Sequence, residues 1–147
     1  MPLCSLLIIP TPMKITIKFP IYDYYFYVFI APDFNAVKPK YIYFDLPKYG
    51  VGCSVGNKNE NRAAIFLKPY YSIGTIVHEC VHSIKRMFEY IGAENVDEEI
   101  YAYSLEYLVS EVTKGIVTCH SRKVHQKRLS RKTSAPNKTR AASTRKQ

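Results

Sequence analysis

Apolar residues in this chain follow two different periods, and the change falls between Leu67 and Ser72. Before that point they alternate with polar residues or run together, as strands require. After it they recur three and four apart, as helices require. Lys14-Ile-Thr-Ile-Lys-Phe19 alternates polar and apolar and predicts a half-buried strand that Pro20 ends. Tyr22 to Ala31 is almost wholly aromatic and β-branched, which suits a strand covered on both faces, and Pro32-Asp33 breaks it. Tyr41 to Leu46 is a third strand candidate. Tyr49 to Val55 and Ala63 to Leu67 predict a hairpin turning at Gly56-Asn57-Lys58-Asn59. A mixed or antiparallel sheet followed by helices makes an α+β domain.

The first helical stretch carries the chemistry. Val77, Cys80, Val81, Ile84, Phe88 and Ile91 form an apolar stripe at helical spacing, with Ser72 placed to cap its start and Gly92 to end it. Within it, His78-Glu79-Cys80-Val81-His82 reads H-E-x-x-H. Residues four apart share a helix face, so both imidazoles could hold one Zn²⁺, with Glu79 beside the metal to take a proton from its water. Catalytic zinc ordinarily has three protein ligands, and the third is not a nearby histidine: Phe88 lies six residues after His82, and His120 and His125 belong to a basic tail.

A carboxylate is the better candidate. A second helix is expected from about Asp97 to Thr113, capped by Asn95 or Asp97 and stopped at Gly115. Glu98 suits the helix dipole on a solvated first turn, whereas Glu99 shares a face with Ala102, Tyr103 and Glu106. Small Ala102 would let a helical hairpin close and bring Glu99 opposite His78 and His82. Tyr103, one turn after Glu99, either stabilises an oxyanion or packs in the helix interface. Lys85 or Glu106 could support the ligands from behind.

These residues carry a family resemblance. Thr75-Ile-Val-His-Glu-Cys-Val-His82, followed by Asp97-Glu-Glu-Ile-Tyr-Ala-Tyr103 and Glu106-Tyr-Leu108, resembles the small zincin-like proteins encoded by phages, and more broadly the gluzincins. The resemblance covers about residues 13 to 113. It implies a zincin-like fold, with the sheet followed by an active-site helix and a ligand-bearing helix. It also implies Zn²⁺ on His78, His82 and Glu99, a peptide or protein substrate, and a host-cytoplasmic setting. In such folds a strand beside the metal helix pairs with extended substrate. Here Ala63 to Leu67 enters that helix, and its sequence is compatible with an exposed edge or a central strand.

Charge divides the chain in two. Residues 121 to 147 hold ten Lys or Arg and no acid, while the rest is close to neutral. The expected organisation is an N-terminal extension over 1–12, one domain over 13–118, and a basic, disordered tail over 119–147. The tail could touch nucleic acid through phosphates without reading sequence, or serve only as a solubilising extension. Leu6 to Ile9 is too short to span a membrane and lacks the basic flank of a signal peptide, and Met13 is an alternative start. The thirteen Tyr fall mostly on strand patterns and read as core. Cys4, Cys53, Cys80 and Cys119 are scattered, which fits free thiols in a reducing cytoplasm better than a disulfide framework.

Overall fold

The computed structural model describes residues 12–93 and 95–133. Four strands, β1 (Met13–Phe19), β2 (Tyr24–Ile30), β3 (Gly52–Gly56) and β4 (Arg62–Leu67), are followed by two helices, α1 (Ile73–Tyr90) and α2 (Glu98–Thr133). The sheet order is β1-β2-β4-β3. β1 and β2 pair antiparallel, β2 and β4 parallel, and β4 and β3 antiparallel, so the sheet is mixed and the domain is α+β. β4 is therefore a central strand, and the open edge beside α1 belongs to β3. Among the described residues, no helix is long and apolar enough to cross a membrane.

The period-two pattern sorts side chains to two covered faces. Ile15, Ile17, Tyr24, Phe26, Val28, Ile65 and Leu67 bury against Ile76, Cys80, Ile84 and Met87 of α1 and Leu108 and Val112 of α2. Phe29, Ala64 and Phe66 bury on the other face, beneath Phe34, Ile42 and Leu46 of the segment linking β2 to β3. That arrangement corrects the expectation of a strand from Tyr41 to Leu46. Asn35 accepts from Leu46 N at 2.9 Å and donates to Leu46 O at 3.1 Å, occupying backbone groups that a ladder would use. Ile42 and Leu46 plug the aromatic face while Tyr43 and Phe44 stay exposed, and Arg62 stacks over the Tyr41 ring at 4.1 Å.

Gly115 does not stop α2. A Cβ there would lie 2.7 Å from Ile15 Cγ2, so the glycine lets helix and strand approach closely, and the helix continues past it. Residues 119–133, expected in a disordered tail, are helical, while 134–147 and the N-terminal residues 1–11 lie outside the described structure. Cys53, Cys80 and Cys119 are free, and Cys4 lies outside the described residues. Burial pushes the Cys80 thiol up to about 12.

Candidate metal centre

α1 is held at both ends by its own sequence. Ser72 Oγ accepts from Thr75 N at 3.1 Å, and Thr75 Oγ1 accepts in return from Ser72 N at 3.4 Å, a reciprocal capping box. At the far end Gly92 takes φ = 74°, the left-handed conformation that glycine adopts without strain. The buried stripe is turned relative to expectation. Ile76, Cys80, Ile84, Met87 and Phe88 are buried, while Val77 and Val81 are each 36 % exposed. The rotation follows from a second packing partner, because α1 also lies on β3, whose residues facing it are small.

That second seam is polar. A Cβ on Gly52 would fall 2.8 Å from Glu79 Cγ and Oε1 and from Thr75 Cγ2, so Glu79 occupies the space the missing side chain leaves. One step along β3, Ser54 Oγ and Ser83 Oγ share a hydrogen bond of 2.8 Å. Arg86 donates through Nη1 to Ser54 Oγ at 3.4 Å and to His82 O at 3.2 Å, and its stem crosses the place of a Gly56 side chain. Only 6 % of Glu79 is exposed. Burial pushes its carboxyl above the ordinary range, against the pull of His78, His82 and Arg86 in the other direction.

His78 and His82 stand exposed on the adjoining face, with ring centroids 4.8 Å apart and planes at 79°. Their Nε2 atoms are 3.2 Å apart. Tetrahedral zinc with Zn–N bonds of about 2.0–2.1 Å places two nitrogen ligands about 3.3 Å apart. The donor chemistry and spacing therefore fit a zinc ion shared by the two imidazoles. The same spacing also lets one imidazole donate to the other when neither holds a metal.

The second helix presents a different face from the one expected. Asp97 caps it, its Oδ1 accepting from Glu99 N at 2.9 Å. Ser104, Leu108 and Val112 turn inward, whereas Glu99, Ala102 and Glu106 are exposed and Tyr103 is 67 % exposed. Among the described residues, no group of three or more His, Cys, Asp and Glu is gathered closely enough to hold a metal ion. The structure thus brings His78, His82 and Glu79 onto one short stretch of α1 and leaves Glu99 and Tyr103 on the solvent face of α2. Lys85 is exposed as well.

Sequence reasoning missed two contributors. Tyr101 joins the helices, its hydroxyl donating to Val81 O at 3.0 Å and its ring stacking on Phe88 at 5.9 Å. Gly52, Ser54 and Gly56 form the bed of α1. Their signal was present as a small residue at every second position of a strand, the spacing of one sheet face. No protein-family model, curated protein or solved structure matches this chain.

Proposed function

We propose that this domain is a zinc-dependent hydrolase of peptide bonds, a zincin-like metallopeptidase built on His78, Glu79 and His82. The observation that carries the reading is the 3.2 Å convergence of the two Nε2 atoms beside a carboxylate buried against β3. When bound, zinc would lower the pKa of a water and polarise the scissile carbonyl. His78 and His82 would hold the ion as neutral imidazoles. Glu79 would accept the proton of the attacking water and pass it to the departing amine nitrogen. Its raised proton affinity suits the first transfer, because a carboxyl that holds its proton more firmly is a stronger base. Arg86 ties α1 to β3 through Ser54 Oγ and also donates to His82 O within its own helix.

The reading assigns Glu99 as the third protein ligand and Tyr103 as an oxyanion donor, both from the first turns of α2. Their exposure favours a second reading, a zincin-like protein that binds zinc without turnover. One experiment separates these. Zinc content and cleavage of a peptide library are measured for the full chain and for His78→Ala, Glu79→Gln and Glu99→Ala. The hydrolase reading expects one zinc per chain and cleavage, loss of zinc in His78→Ala and Glu99→Ala, and retained zinc without cleavage in Glu79→Gln. Zinc without cleavage of any peptide would favour the binding protein. Stoichiometric zinc in Glu99→Ala would remove that ligand, and no zinc in the full chain would end both readings.

A further inference from the structure

α2 changes character along its length. Its first part is held by the body: Leu108 and Val112 are buried, Gly115 rests on Ile15, and Cys119 packs against the same core. Beyond Cys119 the helix runs on to Thr133, roughly 20 Å further at 1.5 Å per residue. Arg122, Lys123, Lys127, Arg128, Arg131 and Lys132 all fall on this extension, and no Asp or Glu occurs anywhere after Glu111. Arg122, Val124, His125 and Gln126 are exposed.

The charge pattern is costly for an isolated helix. Lys123 and Lys127, Lys127 and Arg131, and Arg128 and Lys132 are like charges four apart in the sequence, a spacing that disfavours an isolated helix. Two factors offset that repulsion in part: Lys, Arg, Gln and Leu are good helix formers, and cations suit a helix C-terminus. A polyanion laid along the extension would remove the rest. A membrane surface is the poorer match, because an interfacial helix needs a broad apolar face, and Val124 and Leu129 are the only apolar residues between His120 and Thr133. Beyond Arg and Lys, which serve phosphates in any sequence, the extension offers Ser121, His125, Gln126, Ser130 and Thr133 as polar residues that could meet a base edge.

We propose that the basic extension of α2 binds the phosphate backbone of duplex nucleic acid without selecting sequence. A helix of this kind fits along the backbone or within the major groove, which is about 12 Å wide. Lys and Arg displace condensed counterions there, and the near-neutral body offers little opposing charge. The inference is independent of whether His78 and His82 hold a metal.

The test is fluorescence anisotropy of the full chain on a labelled duplex DNA of mixed sequence, repeated on AT-rich and GC-rich duplexes and over a salt series. With about six phosphates neutralised, log K should fall against log salt with a slope near −5, roughly a thousandfold between 50 and 200 mM. The three duplexes should bind within about threefold of one another, as contacts to phosphate alone require. Changing Arg122, Lys123, Lys127 and Arg128 together to Gln, itself a helix former, should flatten the slope by about 3 to 4 and weaken binding at least tenfold. Far-UV circular dichroism of that variant should match the parent. The proposal is overturned if the full chain does not bind duplex at 50 mM salt, or if the Gln variant binds equally well. Binding to phosphatidylserine vesicles without binding to duplex would assign the extension to a membrane surface instead.

Discussion

Both helices cross the same sheet face, and each crossing needs a glycine, but the glycines sit on opposite partners. Under α1 the strand gives way: Gly52 of β3 leaves room for the Glu79 carboxyl. Under α2 the helix gives way: Gly115 leaves room for Ile15 of β1. The α2 seam is apolar, with Leu108 and Val112 over the sheet and the Tyr107 ring edge-on to Phe19 at 5.2 Å. The α1 seam on β3 is lined by Thr75, Glu79, Ser83 and Arg86. Burying an ionisable group costs stability that an apolar seam would not, so a polar seam is where function is expected to reside. The contrast separates an apolar seam from one that buries a carboxyl.

The largest effects should come from Glu79 itself. On the proposed hydrolase reading, Glu79→Gln should lower peptide hydrolysis by about 10²- to 10⁴-fold, the ordinary worth of a general base, and the turnover expected of the other variants rests on the same reading. The same change should raise the melting temperature of the metal-free protein at pH 7. The sign follows from the raised carboxyl. The folded state holds the proton more tightly than the unfolded chain, so native Glu79 loses stability as pH rises through its raised pKa. The advantage of Gln should therefore disappear once pH falls below the ordinary value of 4.5. A lower melting temperature at pH 7 would mean that the carboxylate has a stabilising partner, and the seam would be structural after all.

The glycines test the contrast directly. Gly52→Ala should cost about 1–3 kcal/mol through overpacking and should also reduce turnover, because Glu79 must move. In Gly115→Ala the overpacking against Ile15 is offset by about 1 kcal/mol of helix propensity. The net loss should be near 1 kcal/mol, with turnover per folded molecule unchanged. A double-mutant cycle with Ile15→Ala should show coupling of at least about 0.5 kcal/mol, since the two groups meet directly. Equal losses of turnover in the two glycine variants would erase the distinction between the seams.

What the sequence made legible follows the same division. β1 was readable from its polar–apolar alternation, β2 from its unbroken aromatic and β-branched run, and the β3–β4 hairpin from the turn residues between two short strands. α1 was readable because Ser72 and Gly92 mark its limits. The phase of α2 was not. Ile100, Tyr101, Tyr103, Leu105, Tyr107, Leu108 and Val109 put apolar groups around most of the helix, so a 3.6-residue period selects no single face. The face shared by Glu99, Ala102, Tyr103 and Glu106 is real, but Ser104, Leu108 and Val112 take the core instead. Gly115 misled for a related reason. A glycine after a periodic run signals a helix end or a close approach equally well, and only the position of Ile15 decides between them.

The smallest test concerns the Ser54–Ser83 bridge. Ser83 is fully buried and its hydroxyl meets Ser54 at 2.8 Å, so Ser54→Ala leaves a buried hydroxyl without that partner. The expected cost is about 1 kcal/mol. Ser54→Ala with Ser83→Ala should cost less than the single change, because an apolar pair removes the stranded group. Stability and turnover should part company in that double variant. Its melting temperature recovers, yet Arg86 has lost Ser54 as an acceptor and keeps only His82 O, so α1 is less firmly oriented on β3. Turnover should stay reduced by a few-fold while the fold is restored, as read by kcat at saturating zinc alongside thermal melting. Full recovery of both would confine the bridge to stability. The chemical part of the seam would then contract to Gly52 and the Glu79 carboxyl it accommodates.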